Sequence, residues 1–331
     1  MKLKWKKGAA VLLGAALLLS ACGQGDSKSD DDGNKNGDAK EKYKIGVTQI
    51  VEHDSLNAAF DGFKKALSDA GLDVEYDVQN AQNDSSMNTT IATNLVNSNV
   101  DLIFANSTPS AQAVANATAD IPIVFTSVTD AISAQLVDSN EKPGANITGT
   151  LDNHPDAIPN TFKFLKDELG AKSVGIVFNA GEQNSRAQVD AIKKVLDDLD
   201  MNLEEASVST AAEVKQATES LLGKVDAFYI FTDNTVVSAL ESVIAVANQN
   251  KMPLMVGEFD SVRKGGLAAY GFEYFDIGYE AGQMAVKILK DGTKPADIPV
   301  QVPQNLKFVV NEETAKTIEL EIKDEWNAEL E

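Results

Sequence analysis

Cysteine is almost missing from this chain, with one thiol, Cys22, in 331 residues. No disulfide within the chain can form, and no cysteine-ligated metal site or redox pair is available. Histidine is nearly as scarce: His53 and His154 stand 101 residues apart with no cysteine near either. That spacing excludes a conventional zinc site, and both histidines read as surface residues. No glycine-rich phosphate loop and no G-x-G-x-x-G follows a strand-like run, so nucleotides and dinucleotides are poorly served. No G-x-S-x-G, serine-histidine-acid order or glycosidase-type carboxylate pair is present either, and the chain reads as a non-enzyme that needs no cofactor and no metal. Positive charge is in deficit, 29 Lys and Arg against 50 Asp and Glu for a net charge of -21. Such a surface repels nucleic acid and anionic membranes. Long apolar runs are absent too: Gly8 to Ala21 gives 14 uncharged residues, short of the roughly 20 that a membrane-spanning helix needs.

That run has another use. Lys2, Lys4, Lys6 and Lys7 precede it, and a basic segment followed by a short apolar one reads as a secretory signal over residues 1–21. The run ends in Leu19-Ser20-Ala21-Cys22, which resembles a bacterial lipobox. The resemblance implies cleavage before Cys22, lipidation of its thiol and attachment to the outer face of the bacterial cell membrane; a buried free thiol or an intermolecular disulfide are the alternatives. Two acyl chains suffice for stable anchoring. Residues 23–42, "GQGDSKSDDDGNKNGDAKEK", hold no apolar side chain larger than alanine and read, with Cys22, as a flexible tether over 22–42. Removal of residues 1–21 takes away four lysines and no acid, moving the net charge from -21 to -25.

From residue 43 onward, short apolar runs alternate with amphipathic ones. "YKIGVTQI" reads as a buried strand, "SLNAAFDGFKKALSDAG" as a helix with Leu56, Ala59, Phe60, Phe63 and Leu67 on one face, and "LDVEYDVQ" as a strand again. "MNTTIATNLVNSN", "DLIFAN", "SAQAVANAT" and "PIVFTSV" continue the rhythm. Strand and helix in alternation predict an α/β fold with parallel, doubly wound sheets. The order then recurs. "KIGVTQ" is echoed by "SVGIVFN" and "FKKAL" by "IKKVL", with Gly46 and Gly175, and Lys64 and Lys193, each 129 residues apart. "VDLIFANSTPSAQAV" is echoed by "VDAFYIFTDNTVVSAL", and "IPIVF" by "MPLMV". Two similar lobes follow from this repeat. Ligands of open α/β sheets sit beyond the carboxyl ends of the strands, so two facing lobes would share one cleft.

The loops after the strands carry the chemistry of that cleft. In "STPSAQ", Thr108 reads as an N-cap with Pro109 at the first helical position, and a hydroxyl-ringed helix N-terminus attracts a carboxylate; plain capping is the other reading. "FTDNT" places Asp233 and Asn234 at the matching position of the second lobe, with Asp233 either a cap or a counter-charge. Glu258 and Asp260 follow the next strand, so carboxylates would converge to meet an ammonium. A further post-strand loop runs from Asn179 to Arg186, and Arg186 is the only cation in these loops.

"IGVTQIVEH", "NSTPSAQAVANAT", "IPIVFTSVTD", "GEQNS", "GKVDAFYIFTDNTVVSALESV" and "LAAYGFEYFDIGYEAGQMAVKILK" together resemble the ABC transporter substrate-binding lipoproteins of the tryptophan/tyrosine-type uptake family. The resemblance implies a type I periplasmic-binding-protein fold, two Rossmann-like lobes joined by a three-strand hinge. It divides the chain into an N-terminal lobe of 43–149 plus about 274–301 and a C-terminal lobe of 150–273 plus about 302–322. It implies a small zwitterionic ligand, an aromatic or hydrophobic amino acid, clamped by Gln49, Thr108, Ser110, Ala111, Thr129, Asn184, Ser185, Thr232, Asp233, Asn234 and Glu258. Glu258-Phe259 departs from the family's pattern, and Phe259 is expected to shape the side-chain pocket. The implied partners are that ligand, an ABC permease with its ATPase, and the membrane through the lipid anchor. A same-fold receptor for a sugar, nucleoside or other neutral solute, a ligand sensor for a membrane kinase, and an exported enzyme are the alternatives.

Overall fold

The structure is a computed structural model that describes residues 42–331. The predicted signal segment, Cys22 and nearly all of the tether lie outside the described residues. None of the described helices is long and apolar enough to cross a membrane.

The chain order is β1 (Lys42–Gln49), α1 (Asp54–Asp69), β2 (Asp73–Asn80), α2 (Ser85–Asn97), β3 (Leu102–Asn106), α3 (Thr108–Ala117), β4 (Ile123–Val128), β5 (Ile147–Leu151) and α4 (Ala157–Asp167). It continues with β6 (Ser173–Asn179), α5 (Gln183–Leu199), β7 (Asn202–Val208), α6 (Val214–Ser220), β8 (Ala227–Ile230), α7 (Asn234–Val237) and α8 (Leu240–Gln249). The last elements are β9 (Leu254–Val256), α9 (Phe259–Arg263), β10 (Ala268–Gly271), α10 (Tyr274–Asp291), β11 (Lys307–Val310), α11 (Glu312–Thr317) and β12 (Glu329–Leu330).

Two sheets form, ordered β2-β1-β3-β4-β5 and β7-β6-β8-β9-β10-β11-β12. The first five strands of each follow the same order, so the repeat in the sequence is a repeat in space. Among the described residues, all pairings are parallel except β10 with β11. Parallel sheets need cover on both faces, and their central strands are therefore apolar throughout. β3 is an instance: every residue from Leu102 to Asn106 is buried.

In α1 the buried stripe Leu56, Ala59, Phe63, Ala66 and Leu67 faces the first sheet. The helix starts where His53 Nδ1 accepts from Leu56 N–H at 3.4 Å. α10, although it follows β10 of the second sheet, packs on α1 of the first. Glycine makes that packing possible: a Cβ on Gly278 would stand 1.8 Å from the carbonyl oxygen of Ala59, and one on Gly62 would stand 2.0 Å from that of Phe275.

The chain crosses between the sheets three times: after β5 through 152–156, between β10 and α10 through 272–273, and from the Gln301 bridge beside Thr150 to β11 through 302–306. Side-chain bonds also join the two halves. Asn83 Nδ2 donates to Thr235 Oγ1 at 2.7 Å, Gln183 Nε2 donates to Ser133 Oγ at 2.9 Å, and Lys264 Nζ pairs with Asp54 Oδ2 at 3.0 Å. The halves are therefore in contact across the cleft.

Candidate ligand-binding site

A narrow, partly enclosed cavity lies between the carboxyl ends of the two sheets. His53, Ser55 and Leu56 enter from the start of α1, Ser127 from the end of β4, and Asp152 from just beyond β5. Thr232 enters from the loop after β8, Asn234 and Val237 from α7, Glu258 from the loop after β9, and Tyr274 from the first residue of α10. Among the described residues, the walls hold two carboxylates and no lysine or arginine.

Asp152 is buried and well provided with donors: Thr129 Oγ1 donates to its Oδ1 at 3.0 Å and the Tyr274 hydroxyl to its Oδ2 at 2.8 Å. Burial nonetheless raises its carboxyl above the usual range, against those two bonds and one from Thr232. Glu258 caps α9. It accepts from Ser261 N–H at 3.0 Å and from the Ser261 hydroxyl, and it hydrogen-bonds Ser55 from the other half. Burial, helped by the nearby charge of Asp260, pushes Glu258 up to about 7. His53 is pushed down to about 4, by burial and then by Lys264, so its ring is neutral. With Nδ1 accepting from Leu56, the ring proton of His53 sits on Nε2, which meets Asn234 across the cleft.

One hydroxyl of the wall has no partner among the described residues. Ser127 Oγ is buried and unpaired, as is Ser107 Oγ one strand away. Both serines hold positive φ, 56° and 105°, a costly conformation outside glycine. Ser107 precedes α3, and its backbone N–H donates to Thr126 O at 3.0 Å. Unpaired buried hydroxyls beside a helix N-terminus form a place for a small anionic group.

The residues singled out by sequence divide into two sets. Thr232, Asn234 and Glu258 line the cavity. The others are buried nearby with partners of their own. Gln49 Nε2 donates to Asn57 Oδ1 at 3.0 Å while its Oε1 accepts from Asn106. Thr108 Oγ1 accepts from Thr129 N–H at 3.4 Å, Ser110 Oγ donates to Asn88 Oδ1 at 3.5 Å, and Ala111 belongs to the core of the first half. Thr129 holds Asp152 and otherwise faces an outer groove with Gln183 and Arg186. Asn184 Nδ2 donates to Glu182 Oε2 at 3.2 Å, and Ser185 Oγ donates to Asp233 Oδ2 at 2.6 Å.

Asp233 takes the capping role that sequence left as one of two. Its carboxylate accepts from Val236 N–H at 2.8 Å, Asn179 N–H at 2.6 Å and Ser185 Oγ, with the cavity lined by its neighbours on both sides instead. Burial, with the Glu182 carboxylate close by, holds it above its ordinary range. Glu182 accepts from the backbone N–H and side-chain amide of Asn234 and from the N–H and hydroxyl of Thr235.

Three expectations need correction. His53 is not a surface residue: it is only 8% exposed because the second half covers it. Thr108 is not the N-cap of α3; that position is Ser107, whose positive φ turns the chain one residue earlier and moves Pro109 deeper into the first turn. Phe259 does not face the ligand space but is buried in the core of the second half. Ser127 stands in "IPIVFTSVTD", in a loop expected to face the cleft, and Tyr274 in "LAAYGFEYFDIGYEAGQMAVKILK", but sequence gives neither of them, nor Asp152 or Ser55, a role as a site residue, because the approach of Asp152 and Tyr274 depends on the crossings between the halves.

The family model for ABC transporter substrate-binding proteins matches residues 44–329. The chain belongs to this family. A tyrosine-binding protein of Clostridioides difficile (strain R20291) is 41% identical over 96% of this chain and 94% of its own length. Among solved structures, an ABC domain from Streptococcus pneumonia in complex with L-Trp is 31% identical and covers 88% of this chain and 99% of its own, with a TM-score of 0.83. The ligand-free, open structure of a substrate-binding protein with adhesive properties from Clostridium difficile is 41% identical over 87% of this chain and 99% of its own, with a TM-score of 0.66. Shape thus follows the tryptophan complex although sequence is nearer the open protein, in keeping with the bonds that join the two halves of this ABC substrate-binding protein.

Proposed function

We propose that this substrate-binding protein of an ABC importer clamps an aromatic L-amino acid between its lobes and delivers it to a membrane permease. The carrying observation is the cavity walled by both halves, lined by two buried carboxylates and by the unpaired Ser127 hydroxyl. In this reading the ligand carboxylate meets Ser127 and the N-terminal N–H groups of α3, whose first turn holds Thr108 and Ser110. The ammonium faces the acids, and Leu56, Val237 and Tyr274 receive the apolar side chain. The relatives that bind tyrosine and L-Trp support this ligand class. Contacts to both halves exist only when they meet, so the ligand's differential affinity for the closed state drives closure. The lobes divide as the crossings suggest, with α10 moving with the first sheet. Export and lipid attachment at Cys22 complete the proposal.

Thermal shift of protein from residue 43 onward against the L-amino acids tests the ligand class. L-tryptophan or L-tyrosine at about 100 times its dissociation constant is expected to add roughly 2.7 kcal/mol of stability. A shift by a sugar or nucleoside alone would overturn the assignment. For the anchor, Cys22→Ser is expected to release the protein from cells into the medium; retention on the membrane would count against lipidation.

A further inference from the structure

Two carboxylates share the cavity wall, and no basic side chain of the described residues lies in it. Asp152 belongs to the crossing after β5, Glu258 to the loop after β9, and Tyr274 lies between them, donating to Asp152 at 2.8 Å and within the field of both. Lys264, whose charge reaches His53 in the wall, is occupied by Asp54 at 3.0 Å. Two carboxylates removed from water in one cavity without a counter-charge favour the neutral form, so the ligand-free protein retains a proton there. A zwitterion brings an ammonium, and a cation beside the pair favours its ionised form and lowers its affinity for that proton.

We propose that Asp152 and Glu258 together form the subsite for the ligand's ammonium, and that filling it drives a proton from this carboxyl pair to solvent. This rests on the amino-acid reading above and adds a regulation to it. The ligand arrives as R–NH3+; the carboxyl O–H bond breaks, its proton passes to water and buffer, and no electrons are transferred. The groups around the pair fit this assignment. Around Asp152 these are Thr129 after β4, Thr232 and Tyr229 from β8 and its loop, and Tyr274 from α10. Around Glu258 they are Ser261 and Asp260 of α9, Ser55 of α1 and Tyr274, with neutral His53 also in the wall. Asp260 is itself matched by Arg263 at 3.0 Å. Burial raises both members of the pair, Glu258 to about 7, which places the proton release near neutral pH.

The consequence is acid-weakened binding. Affinity falls below neutral pH by up to tenfold for each unit and each proton displaced. Calorimetric titration with L-tryptophan at pH 6.5 in two buffers of different ionisation enthalpy reads the proton directly. The expected heats differ between buffers by an amount matching release of up to one proton per ligand, and the dissociation constant rises about tenfold or more from pH 8 to pH 5.5. Equal heats in both buffers with a constant affinity would overturn the proposal. Failure of both L-tryptophan and L-tyrosine to bind would instead remove the amino-acid reading. Glu258→Gln, which keeps an oxygen for capping α9, and Asp152→Asn are each expected to bind more than tenfold more weakly at pH 8 and to release less proton. Indole-3-propionate, which lacks the ammonium, is expected to release none. Wild-type proton release from both variants would also overturn the assignment, and the measurement on the unmodified protein stands if either variant fails to fold.

Discussion

The hydroxyl of Tyr274 donates to Asp152 Oδ2 at 2.8 Å, joining two of the three crossings between the sheets across 122 residues of sequence. Both groups are buried, so neither can exchange this bond for water. A buried bond to a carboxylate contributes about 1.5–3 kcal/mol. Tyr274→Phe is therefore expected to lower stability by that amount in urea titrations while leaving the secondary structure seen by circular dichroism intact. A loss under about 0.5 kcal/mol would show that the hydroxyl is dispensable.

Asp233→Ala removes the cap of α7 and the acceptor for Asn179 N–H and Ser185 Oγ. A lost cap costs about 1 kcal/mol and each stranded buried donor about 1–3 kcal/mol, offset in part by relief of repulsion from Glu182. Destabilisation by about 2–4 kcal/mol is expected, read by chemical denaturation. Intact stability with weakened ligand binding would return Asp233 to the ligand site.

Acid is expected to stabilise the ligand-free protein modestly. Glu258 titrates near 7 when folded, well above its ordinary 4.5, and Asp233 and Asp152 are shifted in the same direction. Between those limits the folded chain binds protons that the unfolded chain releases, so stability falls as pH rises through 7. His53 acts oppositely, since its folded value of about 4 lies below 6.5, and its contribution is lost as pH falls from 6.5 toward 4. Comparison at pH 6 and pH 8 reads the carboxyls, with His53 taking back a smaller part of the gain at pH 6. Unfolding free energy should be higher at pH 6, with a smaller difference in Glu258→Gln; a higher value at pH 8 would mean that these carboxyls are ionised in the fold.

Gly278→Ala is expected to be among the most damaging small substitutions, because the new methyl would meet the Ala59 carbonyl at 1.8 Å. Overpacking of this kind costs about 1–3 kcal/mol or more. Gly292, with φ of 66° and nothing within 4 Å of where a methyl would stand, serves as the comparison, where Gly292→Ala should cost about 1–2 kcal/mol from backbone strain alone. Equal melting temperatures for the two variants would refute the close crossing of α1 and α10.

Much of the fold is legible because its signals are local. Ile45, Val47 and the run Leu102 to Ala105 declare buried strands, and the echo of Gly46 by Gly175 points to duplicated sheets. β5 is harder to read, as "ITGTL" is half polar. Its threonines are buried because their partners lie far off in sequence, Thr148 Oγ1 donating to Ile298 O and Thr150 Oγ1 to Ile277 O. The site follows the same division. Thr232, Asn234 and Glu258 are found from their place after strands. Asp152 and Tyr274 acquire a shared environment only when the chain crosses between the sheets, and His53 is hidden only by the opposing half.

The glycine-mediated crossing of α1 and α10 has a mechanical side. His53 stands at the start of one helix and Tyr274 at the start of the other, and with backbone against backbone these helices have no slack for sliding. The two side chains therefore behave as one rigid jaw, and the opposite jaw is the pair of loops bearing Thr232 and Glu258. A mutation deep in that helix crossing, far from any ligand, would then act on grip.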